Sequence, residues 1–373
     1  MRADARGLYV HIPFCIRKCN YCDFCSFGGA SREEILRYKQ ALIEEIAEYA
    51  KKRIRIKTLY FGGGTPSILE PSDFSEIIEA IRRGFDIEAD AEITVEANPG
   101  TLTEEKLSVY RALGVNRISI GLQSSLDDEL RLLGRVPSFE DFLKAYKMAR
   151  DAGIRNINVD IMYAIPSQTR ESLQKTLDRV ISLSPEHISA YGLIIEEGTP
   201  FFEKRASLDF PGEDTECEMY EYITKRLGEA GYTHYEISNY AKPGCESRHN
   251  LVYWQMGEYI GLGLNAHSYF ENSRYSNTAD MKEYIGAERA EYRVVEKRAD
   301  EDSEREYIML SLRLAGGIDE AEYRHKFGRE FRQGREAAIS RLLGLGLIEE
   351  SDGRIFITER AFYLSNRVIL EFL

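Results

Sequence analysis

The run Tyr9-Val10-His11-Ile12-Pro13-Phe14-Cys15-Ile16-Arg17-Lys18-Cys19-Asn20-Tyr21-Cys22-Asp23-Phe24-Cys25 decides how the rest of the chain is read. It places four of the six cysteines on a loop behind a short apolar strand, and three of them are spaced C-x-x-x-C-x-x-C. Thiolates this close in sequence usually converge on one metal centre. A zinc site wants four ligands in two pairs, whereas Cys217 and Cys245 stand far apart and unpaired. A disulfide framework belongs to short secreted chains. An iron–sulfur cluster takes cysteine thiolates, and three ligands leave one iron open to a small molecule. The spacing favours the cluster; plain buried cysteines are the bland alternative.

Around that loop the pattern alternates. Leu8 to Ile12, Lys57 to Phe61, Ala91 to Asn98, Asn116 to Leu122, Asn156 to Tyr163 and His187 to Leu193 read as six strands. Helical periodicity separates them, as in Ile35, Tyr38, Leu42, Ile46 and Tyr49 behind the cap Ser31. Strands alternating with helices predict parallel units with right-handed crossovers. Their runs of Val, Ile, Leu and Tyr read as strands covered on both faces. The expected fold class is α/β: a partial, open (β/α)6 barrel with its site at the C-terminal strand ends. The expected division is a barrel over 1–200 with the cluster loop at 13–27, an extension over 201–300, and a C-terminal α+β winged-helix-like domain over 301–373.

Unusual residues do fall at strand ends: Gly62-Gly63-Gly64-Thr65-Pro66 after the second, Glu96 with Asn98-Pro99-Gly100 at the third, Gln123 at the fourth and Asp160 in the fifth. A polar group there costs roughly 1–3 kcal/mol unless it is hydrogen-bonded. Each alone reads as well as a loop cap or turn glycine, but four on successive strands point to a shared polar ligand. The glycines are not a phosphate loop, since no Lys-Ser/Thr follows and no helix starts directly.

Further along, His249-Asn250-Leu251-Val252-Tyr253-Trp254 holds the single tryptophan. Its bland reading is a core histidine bonded to a carbonyl, with Tyr253-Trp254 filling the barrel mouth. Its sharper reading is a haem site, because imidazole is a common axial iron ligand and aromatic rings suit a flat macrocycle. His267 is the competing candidate. In the C-terminal part Asp319 is expected to cap a helix at Glu320 to Phe327. Two short strands flank the turn Asp352-Gly353. Arg324, Lys326, Arg329, Arg332 and Arg335 cluster there, but Glu320, Glu322, Glu330 and Glu336 interleave with them, so a solvated face is favoured over a DNA surface.

A net charge of -13 argues against a nucleic-acid or anionic-membrane partner. No apolar run is long enough to span a bilayer, and the start Met-Arg-Ala-Asp-Ala-Arg lacks a signal-peptide core. The expected location is cytoplasmic, with thiols kept reduced and membrane contact only through a recipient protein.

Taken together, the cysteine run, the glycine loop and the strand-end residues resemble the signature of the radical S-adenosylmethionine (SAM) superfamily. More narrowly, the chain from about residue 8 onward resembles the oxygen-independent coproporphyrinogen III oxidases and their relatives, the haem chaperones called HemW. The resemblance implies that Cys15, Cys19 and Cys22 hold a [4Fe-4S] cluster whose open iron chelates SAM, which one electron can cleave to methionine and a 5′-deoxyadenosyl radical. It implies SAM contacts at Tyr9, Gly63, Gly64, Thr65, Glu96, Gln123, Arg135 and Asp160. Glu96 and Asp160 would accept from ribose hydroxyls or pair with cations, Arg135 would hold a carboxylate through its fork, and the glycine backbone would suit the amino and carboxylate ends of methionine. His-Asn-x-x-Tyr-Trp resembles the chaperone-branch motif proposed to bind haem, with His249 as ligand. The C-terminal module would cover the barrel's open side and line a tetrapyrrole pocket.

Three differences favour the chaperone over the oxidase. Only eight residues precede Tyr9, where oxidases carry a long segment. Phe24 stands where oxidases have a further cysteine, and Cys25 reads as a spare thiol. Oxidases also lack the His-Asn-x-x-Tyr-Trp element. The implied partners are haem, haem-receiving proteins and a reductant. The alternatives are the oxidase itself, which decarboxylates propionates, or a radical SAM methyltransferase acting on haem.

Overall fold

The structure is a computed structural model that describes residues 6–49, 52–286, 294–296 and 300–373. The first five residues, read above for a signal peptide, and the stretches 287–293 and 297–299 at the end of the expected extension lie outside the described residues.

Six strands, β1 (Gly7–Ile12), β2 (Ile54–Gly63), β3 (Phe85–Ala97), β4 (Arg117–Gln123), β5 (Asn156–Tyr163) and β6 (His187–Gly192), pair in parallel in chain order. Helices α1 (Arg32–Tyr49), α2 (Pro71–Gly84), α3 (Glu104–Ala112), α4 (Asp127–Leu132), α5 (Phe139–Asp151) and α6 (Arg170–Leu183) return the chain between them. Local chemistry starts these helices where it should. Pro71 opens α2, where its missing N–H costs nothing. Ser138 with Asp141 and Thr169 with Ser172 form capping boxes on α5 and α6.

The sheet continues beyond this unit. Past β6 come the antiparallel strands β7 (Thr233–Glu236) and β8 (Asn239–Ala241), with β8 inside and β7 at the edge. Past β1 comes β9 (Tyr259–Leu262), parallel to it, then β10 (His267–Phe270), β11 (Ser273–Ser276) and β12 (Val294–Glu296), all antiparallel. Among the described residues the sheet has 12 strands and its edge strands β7 and β12 do not pair with each other, which leaves the barrel open. The strand β3 begins at Phe85 rather than at the expected Ala91.

The expectation of strands apolar on both faces needs correction. In β4, Arg-Ile-Ser-Ile-Gly-Leu-Gln, the side chains of Ile118, Ile120 and Leu122 are buried in the core, while Arg117, Ser119, Gly121 and Gln123 line an internal cavity. In β5, Ile157, Val159 and Ile161 are buried while Asn158, Asp160 and Met162 line the same cavity. The pleat sends alternate side chains to opposite faces. The lumen of this barrel is therefore polar rather than filled with layers of aliphatic side chains.

At the C-terminal end, β13 (Ile318–Asp319), β14 (Ile348–Ser351) and β15 (Arg354–Ile357) form a three-stranded sheet with β15 central. The Asp319 carboxylate accepts the backbone N–H of Ala321 and Glu322, both at 3.0 Å, and so caps the helix Glu320–Phe327. The basic cluster is neutralised by acids: Arg332 bonds Glu320 and Glu350, Arg324 bonds Glu330, and Arg329 and Arg335 share Glu304. Arg332 and Arg324 pair at the surface, whereas Arg335 and Glu304 pair largely out of water, at 15% and 11% side-chain exposure.

Candidate functional site

The loop after β1 is pinned to its surroundings. His11 Nε2 donates to the Cys25 carbonyl at 2.8 Å, which leaves Nδ1 to accept from the Tyr9 hydroxyl at 2.9 Å. Asn20 clamps the loop to the segment after α4, donating its backbone N–H to Leu133 and its side-chain amide to Leu132, both at 2.9 Å. Cys15, Cys19 and Cys22 thereby face one cavity of about 480 Å³, which Cys25 does not line. Burial pushes the thiols of Cys15 and Cys22 up, opposed at Cys15 by the Thr65 hydroxyl donating to its sulfur at 3.4 Å. A Lewis acid held by these sulfurs would favour their thiolate form against that burial.

Among the described residues, no three His, Cys, Asp or Glu side chains form a group that could hold a single metal ion as they stand. A multinuclear cluster takes its thiolates on different irons, so it does not need sulfurs gathered around one ion. The donor set fits it: three cysteines on one wall, with a cavity beside them. The glycine loop leaves room for them. A Cβ on Gly64 would stand 2.8 Å from the Phe14 carbonyl oxygen and 3.0 Å from Cys15 Sγ, and one on Gly63, at φ 113°, would stand 2.5 Å from the His11 ring.

The loop's amides are not free for a ligand, contrary to expectation. Gly63 N–H donates to Glu96 at 3.1 Å, Gly64 N–H to the Ile12 carbonyl at 2.9 Å and Thr65 N–H to the Phe14 carbonyl at 2.8 Å. A short 3-10 turn, Pro66–Ile68, does follow directly, because Pro66 presets its first residue.

The strand-end residues Glu96, Gln123, Arg135 and Asp160 all line the cavity, together with Gly63, Gly64 and Thr65. Tyr9 is not among the lining residues, but it is the partly exposed residue of β1, on the same face as its strand partner Tyr60, on whose ring it stacks at 6.2 Å, and it bonds His11. Glu96 accepts from the Tyr60 hydroxyl at 2.8 Å, and burial pushes its carboxyl up to about 7 against that bond. Asp160 accepts from Asn158 Nδ2 at 2.7 Å and Ser119 Oγ at 3.1 Å, and burial raises it as well. Gln123 ends β4 at φ 74°, a left-handed backbone that a non-glycine residue rarely adopts. Arg135 donates to the Gly121 carbonyl, and its Nε has no partner.

The opposite end of the barrel is closed by a short helix. Helix α7 (Glu213–Glu229) packs along β5 and β6. Then α8 (Arg248–Trp254) carries the His-Asn-x-x-Tyr-Trp element. The two oxygens of Glu92 accept the N–H groups of Arg248 at 3.1 Å and His249 at 3.0 Å, so an acid caps the helix start. His249 is 1% exposed. Its Nδ1 pairs with Thr58 Oγ1 at 2.8 Å, its Nε2 with the Tyr253 hydroxyl at 2.7 Å, and its ring stacks on Tyr60 at 4.9 Å. Burial holds it down at about 3, hence neutral. The bland reading of this element is corrected too. His249 bonds side chains rather than a carbonyl, and the helix forms the floor, not the mouth. Asn250 faces the cavity, and the Arg313 guanidinium lies 5.9 Å from the Trp254 ring centroid. His267 is exposed, at the start of β10 and away from the cavity. No lining residue lies beyond Asn250, so residues 301–373 do not border this cavity as expected of a tetrapyrrole pocket.

Sequence reading missed several lining residues: Tyr60, Arg117, Asn158 and His187. The neutral His187 donates from Nδ1 to Asn158 Oδ1 at 2.6 Å and accepts from the Tyr235 hydroxyl at 2.8 Å, burial holding its pKa well down. The available signal was the polar residue at every second position of β4, β5 and β6.

A family model of the radical SAM superfamily matches residues 9–180, and one of the HemN C-terminal domain matches residues 299–364. The chain is 36% identical to a heme chaperone HemW of Lactococcus lactis, covering 100% of this chain and 98% of that one. It is 35% identical to a heme chaperone HemW of Bacillus subtilis, covering 99% of each. Among solved structures, the Escherichia coli coproporphyrinogen III oxidase HemN, described as a radical SAM enzyme, matches with a TM-score of 0.85. That match covers 100% of this chain and 91% of that one at 24% identity, and so speaks for the fold alone. The length and level of these sequence matches decide the branch: the chain belongs to the HemW family of the radical SAM superfamily.

Proposed function

We propose that this protein binds haem and delivers it to haem-requiring proteins, on a scaffold that also holds an iron–sulfur cluster and SAM. The observation that carries this reading is the correspondence, over nearly the whole chain, to relatives named heme chaperones. Cys15, Cys19 and Cys22 would hold a [4Fe-4S] cluster. Tyr9, Gly63, Gly64, Thr65, Glu96, Gln123, Arg135 and Asp160 would contact SAM, Tyr9 while bonded to His11. When bound and reduced, such a cluster would be able to supply one electron for cleaving SAM. The chain's own groups orient and shield: Glu96 and Asp160 accept hydroxyl hydrogens, and the loop carbonyls face an ammonium group better than the spent amides face a carboxylate.

Haem would sit at the mouth. Phe24 and Ile194, 64% and 70% exposed, both border the cavity there, and Arg17 and Lys18 beside them offer cations for propionates. His249 would reach an iron only if α8 left the floor and gave up the Tyr253 or Thr58 bond. No helix among the described residues is long and apolar enough to cross a membrane. A cytoplasmic setting, a reductant and haem-receiving partners complete the proposal.

The test is anaerobic reconstitution followed by incubation with SAM, a strong reductant and coproporphyrinogen III, then a haem titration and transfer to an apo haem protein. The expected outcome is no protoporphyrinogen, saturable haem binding, and transfer. Protoporphyrinogen formed in step with 5′-deoxyadenosine would overturn the reading in favour of the oxidase.

A further inference from the structure

Arg117 lies in the lumen, 2% exposed, on β4. It lines the cavity, yet none of its donors has a partner among the described residues, and its Nε is buried and orphaned. A guanidinium stays charged at any working pH. Buried charges are otherwise paired and hydrogen-bonded, because leaving one without partners costs several kcal/mol.

The nearby acids do not meet this need. Glu96 is turned to Tyr60 and Gly63, and Asp160 to Asn158 and Ser119. Both feel the Arg117 charge only at longer range. The register places Arg117 opposite Thr94, two residues deeper than the Glu96–Ser119 pair, which is about 7 Å along a strand. A group held at the level of Glu96 therefore reaches Arg117 through a short arm.

We propose that Arg117 is a receptor for a carboxylate borne on such an arm of the ligand that fills the cavity. The planar fork matches two coplanar oxygens. A monoanion suits the site better than a phosphate dianion, because Glu96 and Asp160 line the same cavity. The carboxylate belongs either to the methionine end of SAM or to a tetrapyrrole propionate. That choice of ligands rests on the function proposed above; the receptor itself does not.

The experiment uses the full chain and sodium propionate as probe, with propionamide as its neutral counterpart. Wild type should bind propionate and discriminate against propionamide. Arg117→Met should lose at least about tenfold in propionate affinity, and Arg117→Lys should lose less, retaining charge without the fork. Arg117→Met should also melt no lower than wild type in the absence of anion, since it removes an unpartnered buried charge. Equal propionate affinity in wild type and Arg117→Met would overturn the proposal. If that variant does not fold, equal affinity of wild type for propionate and propionamide would overturn it. Two further arms identify the source. Loss of preference for haem over its dimethyl ester in Arg117→Met places the carboxylate on the tetrapyrrole. Loss of preference for SAM over decarboxylated SAM places it on SAM. Failure of haem to bind, with propionate still distinguishing the variants, would remove the chaperone reading and leave the receptor standing.

Discussion

Replacing Glu96 by Gln should flatten part of the protein's pH dependence. In the folded chain burial raises this carboxyl from an ordinary 4.5 to about 7, against the opposing bond from Tyr60. An acid whose folded value is raised holds its proton more tightly folded than unfolded, so ionising it weakens the fold. The associated stability is present below the unfolded value and is lost as pH rises through the folded one, from about 4.5 to about 7. At about 1.36 kcal/mol per pH unit the ceiling is roughly 3 kcal/mol, and because Glu96 borders an open cavity about 2 kcal/mol is the working figure. Glu96→Gln keeps the shape and an acceptor for Tyr60, and it does not ionise. Urea unfolding of the cluster-free protein, followed through Trp254 fluorescence from about pH 5 to about pH 8, should show the variant gaining roughly 2 kcal/mol on wild type across that window. The same variant should bind SAM at least about tenfold more weakly if the carboxylate accepts from the ribose, a loss of about 1.4 kcal/mol. Stability profiles that stay parallel within about 0.5 kcal/mol would refute the reasoning about burial.

Alanine at Cys15, Cys19 or Cys22 should abolish cluster incorporation, whereas Cys25→Ala should retain it; iron and sulfide analysis after anaerobic reconstitution separates the two. Gly64→Ala forces a Cβ to within 2.8 Å of the Phe14 carbonyl and 3.0 Å of Cys15 Sγ, so cluster yield should drop sharply while stability falls by about 1–3 kcal/mol; undiminished cluster content would contradict the packing argument. His249→Ala leaves Thr58 and Tyr253 without their partner and should cost about 3 kcal/mol in denaturant unfolding. Because burial holds His249 at about 3, wild type should lose this stability as pH falls below about 6.5, and the variant should not; an unchanged haem affinity in that variant would end the case for His249 as ligand.

Much of this architecture could be read from the chain. The strand Asn156–Tyr163 and the helix Glu320–Phe327 fall where apolar spacing and the Asp319 cap put them, because local chemistry fixes both. The cysteine spacing, the glycine loop and Glu96, Gln123, Arg135 and Asp160 converge on one cavity, since strand-end positions in a parallel barrel share a face. What escaped depended on curvature. Arg-Ile-Ser-Ile-Gly-Leu-Gln alternates plainly, yet only closure of the sheet decides whether the polar face meets water or a lumen. That is why Arg117, Asn158 and His187 went unnoticed. The floor escaped for another reason. The acid that caps α8 is Glu92, more than 150 positions upstream of the helix, and no local pattern connects the two. The loop amides escaped because their hydrogen bonds are spent within the protein, a fact visible only when partners are located.

The first strand of the barrel has its second neighbour late in the chain. β1 pairs on one side with β2 and on the other with β9, whose residues follow about 250 positions later. On a ribosome adding roughly 5–20 residues per second, that gap amounts to roughly 12 to 50 seconds. Throughout it, the strand that carries the cysteine loop is a raw edge, and the lumen lacks the floor that α8 provides. A nascent chain in this interval is a half-shell open from below, with its three cysteines already made. Order of assembly, and not only the finished shape, thus sets when the thiols first become enclosed.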